Sequence, residues 1–106
     1  MAWVALVAAG LLEVAWAFLM KQSAGFTRLW PSIGTIVFMF ASFGLLAYSM
    51  RSLPLGTSYV VWTGIGAVGA FVVGVAFLQE PAGLVRLLAA GLIIAGLVLM
   101  KVSSPS

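Results

Sequence analysis

Four stretches of this chain are long, apolar and nearly free of charge. They run Ala2–Met20, Trp30–Met50, Ser58–Leu78 and Gly83–Val102. Each approaches the roughly 20 residues that a helix needs to cross a bilayer. They are continuously apolar, not alternating, which predicts helices and not barrel strands. The breaks between them are Lys21-Gln22-Ser23-Ala24-Gly25-Phe26-Thr27-Arg28, then Arg51-Ser52-Leu53-Pro54-Leu55-Gly56-Thr57, then Gln79-Glu80-Pro81-Ala82. Each break joins charge to Gly or Pro, the expected punctuation of helix ends. The pattern predicts an all-α membrane protein, a single domain over 1–106, with transmembrane helices at about 2–20, 30–50, 58–78 and 83–102.

Composition strengthens this picture. Of 106 residues, 64% are hydrophobic and 7% charged, far too few charges for a soluble domain. The chain has no Cys and no His. That removes disulfides, thiol chemistry, the commonest metal ligand and the usual neutral-pH switch. No cofactor and no metal are expected. The five cations, Lys21, Arg28, Arg51, Arg86 and Lys101, lie far apart and form no nucleic-acid patch. They are expected to flank the apolar segments at the headgroups of the inner (plasma) membrane. The first segment has no basic stretch before it and exceeds a signal peptide's apolar core, so it is expected to remain as a helix.

Orientation is weakly encoded. Odd-numbered crossings put Arg51 and Lys101 on one side, and Lys21, Arg28 and Arg86 on the other. Two cations against three barely engages the positive-inside rule. Two readings stay open: a weak preference settled on insertion, or copies inserted both ways round. Four short helices enclose little space, which favours a homo-oligomer. Ala89-Ala90-Gly91 and Ala95-Gly96 supply small residues of the kind that let helices approach in lipid.

Glu13 is the chemical anomaly. It is one of two acids in the chain and lies within the first apolar run. An ionisable side chain inside a membrane segment is expensive and by default functional. At helical spacing Gly10, Glu13, Trp16, Ala17 and Met20 share a face. Gly10 and Ala17 leave space there, and Trp16 adds a flat ring with an indole N–H. In the third segment Tyr59 and Trp62 share a face, and Gly64, Gly66, Gly69 and Gly74 follow. Those aromatics read as a site wall or as interfacial belt residues. The glycines read as close helix contacts or as a bend. The second segment is nearly featureless; its Ser42 is expected to bond its own backbone.

A carboxyl group taken out of water favours its neutral, proton-holding form. An entering cation stabilises the charged form and expels that proton. Cation and proton then compete for one group, the thermodynamic basis of an antiporter. Aromatic faces add cation–π attraction. A planar guanidinium matches a carboxylate through two parallel N–H···O bonds. Nothing resembles a nucleophile–base pair, a metal site or a phosphate loop, so no enzyme is expected.

These motifs resemble the small multidrug resistance family of four-helix transporters over essentially the whole chain. The carriers are Leu12-Glu13-Val14, then Gly25-Phe26-Thr27-Arg28-Leu29-Trp30-Pro31-Ser32, then Pro54-Leu55-Gly56-Thr57-Ser58-Tyr59-Val60-Val61-Trp62. Glu13-Val14-Ala15-Trp16-Ala17, Trp62-Thr63-Gly64-Ile65-Gly66-Ala67 and Gln79-Glu80-Pro81 are similar to its guanidinium-exporter branch. The resemblance implies an antiparallel, dual-topology homodimer that exports guanidinium against protons by alternating access. It implies that Glu13 carries substrate and proton, and that Trp16, Ser42, Tyr59 and Trp62 form a surrounding hydrogen-bond network. It further implies that Gly10 keeps the site open, that Gly64, Gly66 and Gly69 bend the third helix, and that Gly91 and Gly96 serve dimerisation. Two alternatives remain: a broader exporter of quaternary ammonium and aromatic cations, and a non-transporting membrane subunit.

Overall fold

The computed structural model describes residues 1–103; residues 104–106 of the expected domain lie outside the described residues. Among the described residues the chain forms four helices, α1 (Ala2–Gln22), α2 (Leu29–Ser49), α3 (Leu55–Phe77) and α4 (Leu84–Ser103). All four are long and apolar enough to cross a membrane.

The largest departure from the sequence pattern is the start of α3, at Leu55 and not Ser58. Pro54 is its N-cap, with φ −61° and ψ 153°, and Ser58 N–H donates to the Pro54 carbonyl at 3.0 Å. Leu55-Gly56 looks like a continuing turn, yet an N-cap residue needs only an extended backbone and a carbonyl that accepts the first helical bond, and Pro54 supplies both. At the other end of the first crossing, α1 runs past Met20 to Gln22, and Lys21 sits in its last turn, where a cation complements the helix dipole. The buried Ser23 then closes the turn. Its hydroxyl donates to the Met20 carbonyl at 2.6 Å and accepts from the Phe26 N–H at 3.0 Å.

α1 lies between α2 and α3, and the backbone of α4 approaches α3 alone. Glycines make the close approaches possible, as small residues do between helices in lipid. A Cβ at Gly10 would meet Ile65 Cβ and Cγ2 at 2.7 Å, and one at Gly34 would meet Leu19 Cδ1 at 3.0 Å. One at Gly64 would meet Leu97 Cδ2 at 2.6 Å, and one at Gly69 would land on Val14 Cγ2. The core comprises Leu6 and Ala9 of α1, Leu46 of α2, Leu53 of the connection, and Val61 and Trp62 of α3.

The subunit is a slab of 43 × 34 × 16 Å, and α4 contributes no buried residue. Three cations lie over aromatic rings toward the helix ends: Lys101 over Trp3 at 4.7 Å, Arg86 over Phe71 at 5.4 Å, and Arg51 over Tyr48 at 5.9 Å. Such pairs suit the headgroup level, where an aromatic body and a charged head are both accommodated.

Candidate functional site

α1 carries Glu13 on the side that packs against α3. The residue is half-buried, and its carboxyl group rests against the backbone of α3 at Gly66. Its Oε1 is fully enclosed and has no hydrogen-bond partner among the described residues. One turn along, the indole Nε1 of Trp16 is likewise enclosed and unpaired. Two orphaned polar atoms on one stretch of an apolar helix are unusual, because buried polar groups are nearly always satisfied.

Aromatic rings extend from this point across the bundle. Trp16 of α1 meets Phe43 of α2 edge-on, with centroids 6.3 Å apart and planes at 76°. Phe43 meets Trp62 of α3 at 5.8 Å, and Trp62 meets Tyr59 at 5.8 Å. All three separations fall in the favourable range for aromatic pairs. Trp62 is buried, whereas Tyr59 is 54% exposed, so the arc runs from the core to the surface.

Ser42 sits in the core, fully buried. Its hydroxyl does not bond its own helix, contrary to the sequence expectation. It donates to the Ala9 carbonyl of α1 at 2.7 Å and accepts from Trp62 Nε1–H at 3.0 Å. One hydroxyl thus ties α1, α2 and α3 together one turn before Glu13. The O–H that would otherwise make the local i−4 bond goes to α1 instead, and a lone pair of the same oxygen satisfies the Trp62 N–H, which would be stranded in an apolar core without it. Ser42→Ala removes the acceptor and strands that N–H. It should lower stability by about 1 kcal/mol, read as a lower unfolding temperature in detergent, while Ser42→Thr retains the acceptor.

Within the subunit, Ser42 and Trp62 are therefore joined by hydrogen bonds, Tyr59 and Trp16 contribute ring contacts, and Glu13 stands beside this network without bonding to it. The space next to Gly10 is filled by Ile65. α3 is one continuous helix through Gly64, Gly66 and Gly69, which face Leu97, Glu13 and Val14 respectively. Gly91 and Gly96 open onto free space on α4. Among the described residues no group of three His, Cys, Asp or Glu side chains gathers as a metal site. The residue that sequence reasoning missed is Phe43, which joins Trp16 to Trp62. It is a lone aromatic in an apolar helix, and no local spacing links it to residues on α1 and α3.

A comparison with family models matches residues 1–93 to the Small Multidrug Resistance protein family. Among similar proteins is the guanidinium exporter of Yersinia pestis, 59% identical over 104 residues, covering 98% of this chain and all of that protein. The guanidinium exporters of Citrobacter freundii and Salmonella typhimurium are each 54% identical over 104 residues, covering 98% of this chain and 99% of each relative. With four membrane-length helices, the chain is a multi-pass protein of the inner membrane. A family match over most of its length and relatives matched from end to end place the chain in the small multidrug resistance family.

Proposed function

We propose that this protein exports guanidinium in exchange for protons, with Glu13 as the group for which the two compete. The observation that carries the reading is the Glu13 carboxyl group: half-buried, with one oxygen enclosed and unpaired, beside the unpaired indole of Trp16. A guanidinium supplies what the carboxylate lacks, an opposite charge and two parallel donors. The rings of Trp16, Phe43, Trp62 and Tyr59 offer π faces to a cation that has shed its water. The relatives named guanidinium exporters support the same substrate.

The working unit in this reading is an antiparallel homodimer of dual topology that alternates access between the two membrane faces. The near balance of cations on the two sides supports it. So does a slab only 16 Å thick, whose α4 has no buried residue and leaves Gly91 and Gly96 open for a second copy. In the dimer two Glu13 residues face one site, and like-charge repulsion disfavours ionising both without a cation between them. Trp16, Ser42, Tyr59 and Trp62 line and brace that site, while Gly10 holds α1 close to α3.

The substrate class is tested by competition. The Trp16 ring next to the acid should restrict the site to small or planar cations. Large aromatic and quaternary ammonium cations should displace guanidinium from the purified protein at least about tenfold less effectively than guanidinium displaces itself, a difference of about 1.4 kcal/mol. Tighter binding of the large cations would instead make the protein a broad multidrug exporter.

A further inference from the structure

We propose that Gly66 is a positioning residue: its bare Cα is the seat on which the Glu13 carboxyl group lies. This rests on Glu13 as the substrate-binding acid. The four glycines in the body of α3 face different things. A Cβ at Gly64 would reach the tip of Leu97, one at Gly69 would land on Val14, and one at Gly74 would lie 2.5 Å from Glu80 Oε1. At Gly66 the three nearest atoms all belong to Glu13: Oε1 and Cδ, on which the added carbon would land, and Cγ at 2.9 Å.

Parting the helices to make room would break the packing on both sides of the acid. Gly10, one turn before Glu13, is packed on Ile65, and Val14, the next residue, is packed on Gly69. Both contacts hold α1 to α3 on either side of the carboxyl group. A methyl group at position 66 therefore moves the acid, not the backbone.

The seat also has a chemical consequence. Oε1 has no hydrogen-bond partner among the described residues, so steric fit and not a donor fixes the carboxyl group against α3. A donor in that place would occupy lone pairs that the substrate needs. A glycine offers no side-chain donor to compete with the substrate while it holds the group to the accuracy that two parallel hydrogen bonds demand. Gly66 thus sets where the charge stands, a role distinct from bending α3.

A double-mutant cycle on the full chain tests this, with guanidinium binding measured by calorimetry on purified protein. Gly66→Ala should weaken binding about tenfold or more. In a Glu13→Asp background, where the carboxyl group stands one methylene further back, the same substitution should cost about threefold or less; residues in contact show such coupling. Gly74→Ala makes the same change on the same helix away from Glu13, and should alter binding by less than about twofold. Equal losses in both backgrounds, or an equal loss from Gly74→Ala, would overturn the proposal and return Gly66 to a role in flexibility. Where a variant binds too weakly to measure, the cycle is read in unfolding temperature, with Gly66→Ala costing less in the Glu13→Asp background than in the wild type; additive shifts would overturn the seat. Undiminished binding by Glu13→Gln would instead refute the functional reading, and the unfolding cycle would still decide on Gly66.

Discussion

Glu13→Gln should lose at least about thirtyfold in guanidinium affinity and all guanidinium-driven proton movement. The amide keeps the size and shape of the carboxyl group, so the contact with Gly66 survives. What disappears is the negative charge and one of two acceptor oxygens. Removing one partner of a desolvated, hydrogen-bonded ion pair costs about 2–5 kcal/mol, and each 1.4 kcal/mol is tenfold in affinity. Stability should move the other way or not at all. A carboxyl group inside a membrane segment is expensive, and an amide less so. Unfolding temperature and binding isotherm, measured on the same preparation, separate the two effects. A variant that is folded, at least as stable as wild type and unable to bind guanidinium identifies Glu13 as the binding charge.

The second large effect is on pH. Guanidinium keeps its charge across the accessible range, as the arginine side chain does. Any pH dependence of binding therefore comes from the protein. Proton and guanidinium seek the same oxygens of Glu13, so each must weaken the other by the same factor. Below the titration of the carboxyl group, apparent affinity should fall by about tenfold for each pH unit for every proton displaced. Above it, affinity should be flat. The sign is fixed: acid weakens binding, because the protonated group is neutral and cannot pair with a cation. The other acid of the chain, Glu80, lies beyond α3, so Glu80→Gln should leave the profile in place. Titrating guanidinium into the protein at a series of pH values checks both statements.

Much of this was legible in the sequence, for reasons that differ by residue. The four crossings are long apolar runs, and in lipid such runs have few alternatives to helix. Glu13 was legible because a charge there has no structural excuse. The start of α3 was not, because Pro54-Leu55-Gly56 serves a turn and a helix start equally well, and only the bond from Ser58 N–H to the Pro54 carbonyl decides. Ser42 was misread because an isolated hydroxyl carries no record of its partners; Ala9 and Trp62 come from other helices. Phe43 was missed for the same reason. The glycines of α3 were visible as a group, yet spacing alone could not tell the one that faces the acid from those that face Leu97 and Val14. Periodicity gives the faces of a helix, whereas pairing across helices depends on their relative height and rotation.

If guanidinium and protons exchange through one carboxyl group, each must drive the other across a membrane. Purified protein is reconstituted into sealed vesicles, with a pH-sensitive dye inside and no initial pH difference. Guanidinium added outside should enter, drive protons out and make the lumen more alkaline, and Glu13→Gln vesicles should show no change. Guanidinium uptake by wild-type protein with no accompanying movement of protons, or an undiminished response from Glu13→Gln, would contradict the account.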